Sequence, residues 1–352
     1  MDKNSNGAGL ALYRKYRPST FDDVVGQESI VNVLKTAVKS ESPAHAYLFS
    51  GGRGTGKTSV ARILAKALGT SDNDLVEIDA ASNRGIDDIR ELRDGVRVNP
   101  FDSPYKVYIM DEVHMLSKDA FNALLKTLEE PPKHVIFILA TTELEKLPET
   151  VVSRCQQFSF KKPSEEILKN VVIDVAKKEK YTIEPSGAEL IALLGDGSFR
   201  DALGILQKVM GTSKDKKISR IEIEKITGAP SLELINNFIL ALLKKDAELG
   251  IKSIAEAKKQ DIEMKVYMKL IIHKVRVALL LKYAPLVGKK LVGELGEEDN
   301  AFMERIMKPY SVNISSGLLR DLLESYSQID RSFIPELPLE LALVKIIGEK
   351  AQ

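Results

Sequence analysis

One octapeptide constrains the fold of this chain more than any other feature of its sequence. Residues 51–58 read GGRGTGKT and match the pattern G-x-x-x-x-G-K-[ST]. The match lies between an apolar run at 46–50, which predicts a strand, and a predicted helix at 59–68. In this context the pattern binds phosphate, because glycines let backbone N–H groups wrap the anion and the helix directs its positive end at it. A chance glycine-rich turn rarely has both neighbours, so the sequence predicts a nucleotide-binding α/β domain.

Two side chains of this loop have separate predicted roles. Lys57 is expected to reach the β- and γ-phosphates of a nucleoside triphosphate, and the Thr58 hydroxyl to ligate Mg²⁺. The residues that we expect to bind the nucleotide through this loop are Gly51, Gly52, Arg53, Gly54, Thr55, Gly56, Lys57, Thr58 and Ser59.

Hydropathy patterning extends this prediction to the whole chain. Up to residue 162, short apolar runs alternate with amphipathic helices, which favours a parallel sheet covered by helices. The predicted strands are residues 46–50, 75–79, 107–110, 135–140 and 156–160. After residue 162 the pattern predicts helices alone. We therefore expect a floppy extension at 1–9, an α/β core with a parallel five-stranded sheet at 10–162, a small helical lid at 163–229 and an all-helical domain at 230–352.

Composition excludes several classes of protein. Among 352 residues 44% are apolar, which rules out a disordered chain. Lys and Arg number 51 against 50 Asp and Glu, so bulk charge implies no nucleic-acid partner. The single cysteine, Cys155, excludes an internal disulfide and a zinc site of several cysteines. The most apolar stretch, 270–287, contains four basic or histidine side chains and should not span a bilayer. Without a signal-peptide pattern, we expect a cytoplasmic protein with no membrane partner.

Two further polar sites follow predicted strands. Asp111 and Glu112 end an apolar strand, at the sheet edge where ligands of open α/β sheets bind. Asp111 fits a second contact to Mg²⁺, and Glu112 fits the base that orients the attacking water; a solvated acidic strand end is the alternative. The strand predicted at 135–140 ends in Thr141 and Thr142, where a hydroxyl could hold that water or the γ-phosphate. A simple threonine-rich turn explains it nearly as well.

Arg154 and Arg200 are candidates for stabilising charge on a transferred phosphoryl group, in cis or in trans. Residue type alone favours an ordinary surface arginine in a salt bridge, and spacing does not decide between the two.

The assembled motifs resemble one family. The chain is similar to the gamma/tau subunits of bacterial DNA polymerase III clamp loaders, which are AAA+ ATPases. The segments that carry the resemblance are 13–18 (YRKYRP), 21–27 (FDDVVGQ), 44–50 (AHAYLFS), 77–85 (EIDAASNRG), 111–116 (DEVHML), 121–132 (FNALLKTLEEPP), 139–142 (LATT), 153–155 (SRC) and 197–203 (GSFRDAL). The likeness is specific from residue 13 to about 203 and weaker through the helical remainder.

The resemblance implies a Mg²⁺-dependent ATPase that loads a sliding clamp onto primer-template DNA. Lys57 and Thr58 would bind phosphate and Mg²⁺, Asp111 and Glu112 would form the Walker B pair, and Thr142 would be the first sensor. Arg154 matches the arginine finger given to the neighbouring subunit's ATP, and Arg200 matches the second sensor. The residues that match the segments folding over the adenine are Tyr13, Arg17, Pro18 and Val25. His114 belongs to the pattern too, although a packed histidine explains it equally well.

The family also implies partners. The helical domain at 230–352 matches the collar that holds a ring of subunits together. The partners would be delta- and delta-prime-type subunits, further copies of the chain, the sliding clamp and DNA. Asn83 and Arg84, next to a helix predicted at 86–98, are our candidates for a DNA phosphate contact, with an ordinary N-cap and turn as the alternative. We expect no polymerase active site in this chain.

One departure from the family concerns zinc. Family members usually carry a four-cysteine zinc module between the first helix and the second strand, where this chain has only GTSDND at 69–74. We therefore predict no zinc. Two other functions remain open: a non-hydrolysing scaffold subunit, and a hexameric AAA+ motor such as a branch-migration helicase or an unfoldase. The intact phosphate-binding residues argue against the scaffold, and the absence of an aromatic residue from 80–85 argues against the unfoldase.

Overall fold

The computed structural model of the chain describes residues 10–40, 42–83, 85–293 and 296–348. The chain divides into two compact units, one formed by residues up to 168 together with 195–204, the other by 169–194 together with 205 onward. The extension predicted at 1–9 lies outside the described residues. The domain boundaries predicted after residues 162 and 229 stay predictions.

A five-stranded parallel sheet forms the centre of the first unit, as the sequence predicts. Its strands are β1 (Ala46–Gly51), β2 (Leu75–Asp79), β3 (Lys106–Asp111), β4 (Val135–Thr141) and β5 (Gln156–Phe160), in the order β2-β3-β4-β1-β5. Three of them continue one residue further at their carboxyl ends than the apolar pattern indicates, to Gly51, Asp111 and Thr141. Asp111 pairs with Asp79 and Thr141 pairs with Ser50 in the sheet, so the backbone pairing continues one residue beyond the apolar run.

Helices cover both faces of this sheet. They are α1 (Leu12–Lys15), α2 (Glu28–Lys39), α3 (Lys57–Ala67), α4 (Ile86–Val96), α5 (Lys118–Glu129) and α6 (Glu149–Val152). Leu34 of α2 and Leu64 of α3 lie in the core on one face. Ile89 of α4 and Leu124 of α5 lie in the core on the other. Strands buried on both faces account for the nearly continuous apolar runs in the sequence.

The second unit is largely helical. Its elements, with α7 and α9 shared with the first unit, are α7 (Glu165–Lys178), β6 (Thr182–Ile183), α8 (Pro185–Leu194), α9 (Phe199–Met210), β7 (Lys217–Ile218), α10 (Arg220–Thr227), α11 (Leu232–Lys244), α12 (Ala247–Lys259), α13 (Met264–Tyr283), α14 (Pro285–Gly293), α15 (Glu297–Tyr310), α16 (Ser316–Gln328) and α17 (Leu337–Gly348). The expectation that strands stop after residue 162 was wrong, because β6 and β7 form a short parallel pair. Two-residue strands are too short to produce a period in the sequence.

None of the described helices alone is long and apolar enough to cross a bilayer, and the one combination that reaches this length and composition, α10 with α11, is bent by 86°.

Buried charges join α10, α13 and α15 in the second unit. Arg220 pairs with Glu224 at 2.9 Å and lies 3.7 Å from Asp299, whose carboxylate also pairs with Lys274. Lys274 additionally donates to Asn236 Oδ1 at 2.6 Å. Each buried charge therefore has an opposite charge or a hydrogen-bond acceptor, as low-dielectric surroundings require.

Glu189 of α8 is the least satisfied acid near this cluster. Within the described residues its Oε2 has no hydrogen-bond partner, and Nζ of Lys169 lies 3.9 Å away. Burial raises the pKa of Glu189 from its usual 4.5 to about 7, although the charge of Lys169 opposes the shift. Folding therefore takes up a proton at this residue, and the free energy of unfolding falls as pH rises from 4.5 through 7.

We expect Glu189→Gln to abolish this part of the pH dependence. At pH 8 the free energy of unfolding of the variant should exceed that of the wild type by up to about 3 kcal/mol, so the variant unfolds at a higher urea concentration. At pH 5 the increase in the free energy of unfolding should be small. Urea denaturation at both pH values measures the difference. The matched control is Glu304→Gln, since Glu304 is exposed on α15. An equal gain at the two pH values would contradict the prediction.

Candidate nucleotide-binding site

The strand order brings the predicted site residues to one edge of the sheet. β4 lies between β1 and β3, and all three strands run in parallel. The loop after β1, Asp111 at the end of β3 and Thr141 at the end of β4 therefore meet at the same edge. This is the edge at which open α/β sheets bind ligands.

The side chain of Lys57 folds back into its own loop. Its Nζ donates to the carbonyl oxygens of Gly51 at 2.7 Å and Gly52 at 2.9 Å. The residue is only 5% exposed, and burial lowers the pKa of Lys57, whereas the charges of Glu112 and Asp111 act to raise it. α3 begins at Lys57, two residues earlier than the sequence predicts, so the N–H groups of its first turn belong to the loop.

The backbone of this loop adopts conformations that favour glycine. Gly54 has a φ of +71° and Gly56 a φ of +104°. A Cβ added to Gly54 would lie 2.0 Å from Oγ of Ser198, and the carbonyl of Gly54 accepts a hydrogen bond from Phe199 N at 3.0 Å. The loop therefore packs closely against the start of α9. Of its other residues, Thr55 is buried, Arg53 is exposed, and Ser59 is half-buried.

Thr58 and Asp111, the two residues predicted to hold a metal ion, are in contact. The hydroxyl of Thr58 donates to Asp111 Oδ2 at 2.8 Å. Hydroxyl and carboxylate oxygens are the ligand types that Mg²⁺ takes alongside nucleotide phosphates, so the pair fits this ion. Among the described residues, no group of three or more His, Cys, Asp or Glu could hold a metal. The absence of zinc stays a prediction.

Glu112 contacts the predicted sensor residue. Its Oε2 accepts hydrogen bonds from the backbone N of Thr142 at 3.2 Å and from Thr142 Oγ1 at 2.9 Å. Glu112 has a φ of +49°, a strained conformation for a residue with a Cβ. The structure thus joins two residues that the sequence places 30 positions apart. Thr141 and Glu143 flank Thr142 and contact His114. Sequence reasoning missed Glu143, and it named Thr141 only as part of the polar strand end.

Basic side chains gather near the loop. The guanidinium of Arg200 lies 5.5 Å from the centre of the Tyr13 ring, and its charge adds to burial in lowering the pKa of Lys57. Burial lowers the pKa of Arg17, and the charges of Arg62 and Arg200 lower it further. Such a concentration of positive charge attracts polyanions. Sequence reasoning missed Arg62. The helical period of α3 was the one signal that could have placed this residue on the helix that follows the loop.

Other predicted residues lie in less enclosed positions. Pro18 is half-buried and Val25 is 43% exposed. Asn83 donates from Nδ2 to the carbonyl of Asp79 at 3.0 Å, a turn contact, and Arg84 lies outside the described residues.

Arg154 contacts residues other than the phosphate-binding loop. Its guanidinium donates to the carbonyl of Thr150 and to Oε1 of Glu129, each at 2.7 Å. The side chain is one-third exposed and follows the short helix α6.

We expect Gly54→Ala to destabilise the first unit. A left-handed backbone costs an alanine roughly 1–2 kcal/mol, and the added methyl group would collide with Ser198. Gly52→Ala is the matched control in the same loop, because a Cβ there meets its nearest atom at 3.7 Å. In thermal denaturation without nucleotide, Gly54→Ala should have a lower Tm than the wild type, and Gly52→Ala should not. Equal Tm values would refute the close packing of the loop on α9.

Comparison with known proteins identifies sequence relatives of this chain. A family model described as DNA polymerase III, delta subunit matches residues 26–83 and 69–164. DNA polymerase III subunit tau of Bacillus subtilis is 40% identical over 96% of this chain and 63% of its own length. Subunit tau of Escherichia coli is 41% identical over 72% and 42%, and subunit gamma of Buchnera aphidicola is 40% identical over 67% and 69%. The chain thus spans 42–63% of the length of these two tau relatives.

Solved structures show the same fold. The Thermotoga maritima RuvB Holliday junction branch migration motor matches with a TM-score of 0.51 at 22% identity, over 66% of this chain and 80% of that one. A single-residue variant of RuvB matches with a TM-score of 0.53 at 20% identity, over 65% of this chain and 80% of that one. Identity this low shows the fold alone, which is that of AAA+ proteins. The sequence relatives are closer, and by them this chain belongs to the gamma/tau family of DNA polymerase III subunits.

Proposed function

We propose that this chain is the ATP-hydrolysing subunit of a bacterial replicative clamp loader, which opens a sliding clamp and loads it onto primer-template DNA. One observation carries the proposal. In a chain of the gamma/tau family, Lys57, Thr58 and Asp111 meet at the carboxyl edge of the sheet, where Glu112 contacts Thr142. A non-hydrolysing scaffold would have no need of a Walker B glutamate in contact with a sensor residue.

The loop residues fit ATP and Mg²⁺. The ammonium of Lys57 donates to two loop carbonyls, and we propose that phosphate oxygens replace these acceptors when nucleotide binds. Thr58 and Asp111 would hold Mg²⁺, which supplies positive charge to the phosphates when bound. Glu112 would orient and polarise the attacking water, and Thr142 would hold the carboxylate of Glu112 in place.

The N-terminal segment and α9 would bind the rest of the nucleotide. In this proposal Tyr13, Arg17, Pro18 and Val25 cover the adenine. Arg200 acts on the γ-phosphate of its own subunit as the second sensor. Its position beside Tyr13, and its effect on the pKa of Lys57, support that assignment.

Arg154 would act on a neighbouring subunit. Its exposed guanidinium contacts Glu129 and Thr150, which leaves the hydrolysis site of its own chain without this arginine in the isolated subunit. A second subunit would supply the missing charge, so a ring is required for fast hydrolysis. The proposed partners are delta- and delta-prime-type subunits, further copies of this chain, the clamp and DNA, all in the cytoplasm.

The helical domain at 230–352 would be the collar of this ring. Leu337, Leu341 and Val344 recur along α17 at helical spacing, and each is more than one-third exposed. An apolar stripe of this kind on a surface helix favours contact with another subunit.

A mixing experiment tests hydrolysis and the trans arginine together. Lys57→Ala and Arg154→Ala should each lower steady-state ATP hydrolysis roughly 10³-fold in the presence of clamp, primed DNA and partner subunits. Mixing the two inactive variants should restore activity at about a quarter of the interfaces, because random pairing then joins an intact Lys57 to an intact Arg154. Arg305→Ala, at an exposed position on α15, is the control and should hydrolyse ATP normally.

Each outcome distinguishes one function from the others. If the mixed variants stay inactive, Arg154 acts on the nucleotide of its own chain or has no role in hydrolysis. ATP binding without hydrolysis in the wild type would favour the scaffold function. Hydrolysis that ignores clamp and DNA would favour another AAA+ motor.

We also propose that Asn83 and Arg84 contact DNA phosphates. Arg84→Ala should weaken the stimulation of hydrolysis by primed DNA several-fold and leave basal ATP binding intact, since a phosphate contact contributes to DNA affinity alone. Titration of ATPase activity with DNA at two salt concentrations measures the effect, with Arg90→Ala on α4 as the surface control. Unchanged stimulation would remove Arg84 from the DNA interface.

A further inference from the structure

Both ring nitrogens of His114 have polar partners. The residue lies in the one-turn helix Val113–Met115 that follows Glu112, and its side chain is only 6% exposed. Nδ1 lies 3.0 Å from Oγ1 of Thr141, and Nε2 lies 3.2 Å from Oε1 of Glu143. Every buried histidine needs polar partners for its ring nitrogens, so the identity of these two partners, rather than their presence, bears on function.

The hydrogen-bond roles in this cluster are mutually consistent. A carboxylate only accepts, so we assign the proton that faces Glu143 to Nε2, and in this tautomer Nδ1 is an acceptor for Thr141. Oγ1 of Thr141 donates to Nδ1 and accepts from the backbone N of Glu143 at 3.0 Å. The other oxygen of Glu143 pairs with Lys146 at 2.6 Å, which keeps that carboxylate charged.

These contacts surround the pair formed by Glu112 and Thr142. Thr142 lies between Thr141 and Glu143, the two residues that His114 contacts. Glu112 precedes the His114 turn and has the strained φ of +49°, a conformation that persists only where surrounding contacts enforce it. Nδ1 of His114 also lies 3.5 Å from Oε2 of Glu112, but in the assigned tautomer both atoms are acceptors, so the link to Glu112 runs through Thr141 and Glu143.

We propose that His114 is a positioning residue for ATP hydrolysis. By joining the turn that carries Glu112 to the segment 141–143, it fixes the Glu112 carboxylate relative to Thr142 and so to the attacking water. This inference rests on the proposed ATPase function. It assigns His114 no contact with nucleotide.

The first test replaces the ring with one of similar shape. His114→Phe should lower kcat about 10–100-fold and change KM for ATP by less than about twofold, because a misplaced general base slows the reaction without weakening binding. His114→Gln, whose amide can still donate to Glu143, should recover part of the loss. His134→Phe is the control, since His134 precedes β4 at its other end and its ring Nε2 lies 3.3 Å from the carbonyl oxygen of Val96. Unchanged kcat in His114→Phe would overturn the proposal.

A second variant keeps the proposal testable if His114→Phe does not fold. Thr141→Val removes the hydroxyl that donates to Nδ1 and preserves the shape of a fully buried side chain. It should lower kcat with KM nearly unchanged. Combined with His114→Phe, it should lose less activity than the two separate losses multiplied together, because both changes remove the contact between His114 and Thr141, although Thr141→Val also removes the acceptor of the Glu143 N–H. Fully additive losses would overturn the proposal.

Amide hydrogen exchange separates this proposal from the proposed function. The backbone N–H groups of Thr142 and Glu143 donate to Glu112 and Thr141. NMR of the nucleotide-free chain should show faster exchange at both amides in His114→Phe and unchanged exchange in His134→Phe. Wild-type chain without ATPase activity would overturn the proposed function and the catalytic consequence, whereas unchanged exchange in His114→Phe would overturn the positioning itself.

Discussion

The parallel pairing of β4 with both β1 and β3 is the constraint on which the candidate site depends. A parallel sheet brings every carboxyl end to one edge, and this strand order places β4 between the strand that leads into the glycine-rich loop and the strand that ends at Asp111. Thr142, which follows β4, can therefore contact Glu112, which follows β3. An antiparallel β4 would carry Thr142 to the opposite edge, roughly 20 Å away over a seven-residue strand.

Several features of this edge cost stability. Lys57 is buried with its pKa lowered by desolvation, Glu112 has a left-handed backbone, and Gly54 leaves no room for a methyl group. Strained and desolvated groups of this kind persist where surrounding structure over-determines them. Here the loop carbonyls, Thr142 and the backbone N–H of Phe199 supply the compensating contacts. The contact between Glu112 and Thr142 is thus in place without nucleotide, whereas the Lys57 ammonium would exchange its carbonyl acceptors for phosphate on binding.

The sequence predicts the parts of this protein that have local signatures. The loop motif, the apolar strands and the acidic strand end all appear where their patterns place them. The pair β6–β7 was not predicted, because a strand of two residues is too short to show a period in the sequence. The contacts of His114 were not predicted either, because Thr141 and Glu143 come close to it only through the pairing of β3 with β4. From residue type, a sensor role and a simple turn explained Thr142 nearly equally well. Its contact with Glu112 is information that only the fold supplies.

Lys57 and Arg154 differ in the way that the proposed division of labour requires. Lys57 is almost fully buried and held by two carbonyl oxygens of its own loop, which fits the proposal that it binds the nucleotide of its own chain. Arg154 is one-third exposed and paired with Glu129, which is itself nearly half exposed. A surface ion pair of this kind contributes about 0–1 kcal/mol, so a neighbour's phosphates can displace Glu129 at little cost. A residue donated between subunits needs such a weak partner, because a strong one would oppose assembly of the shared site.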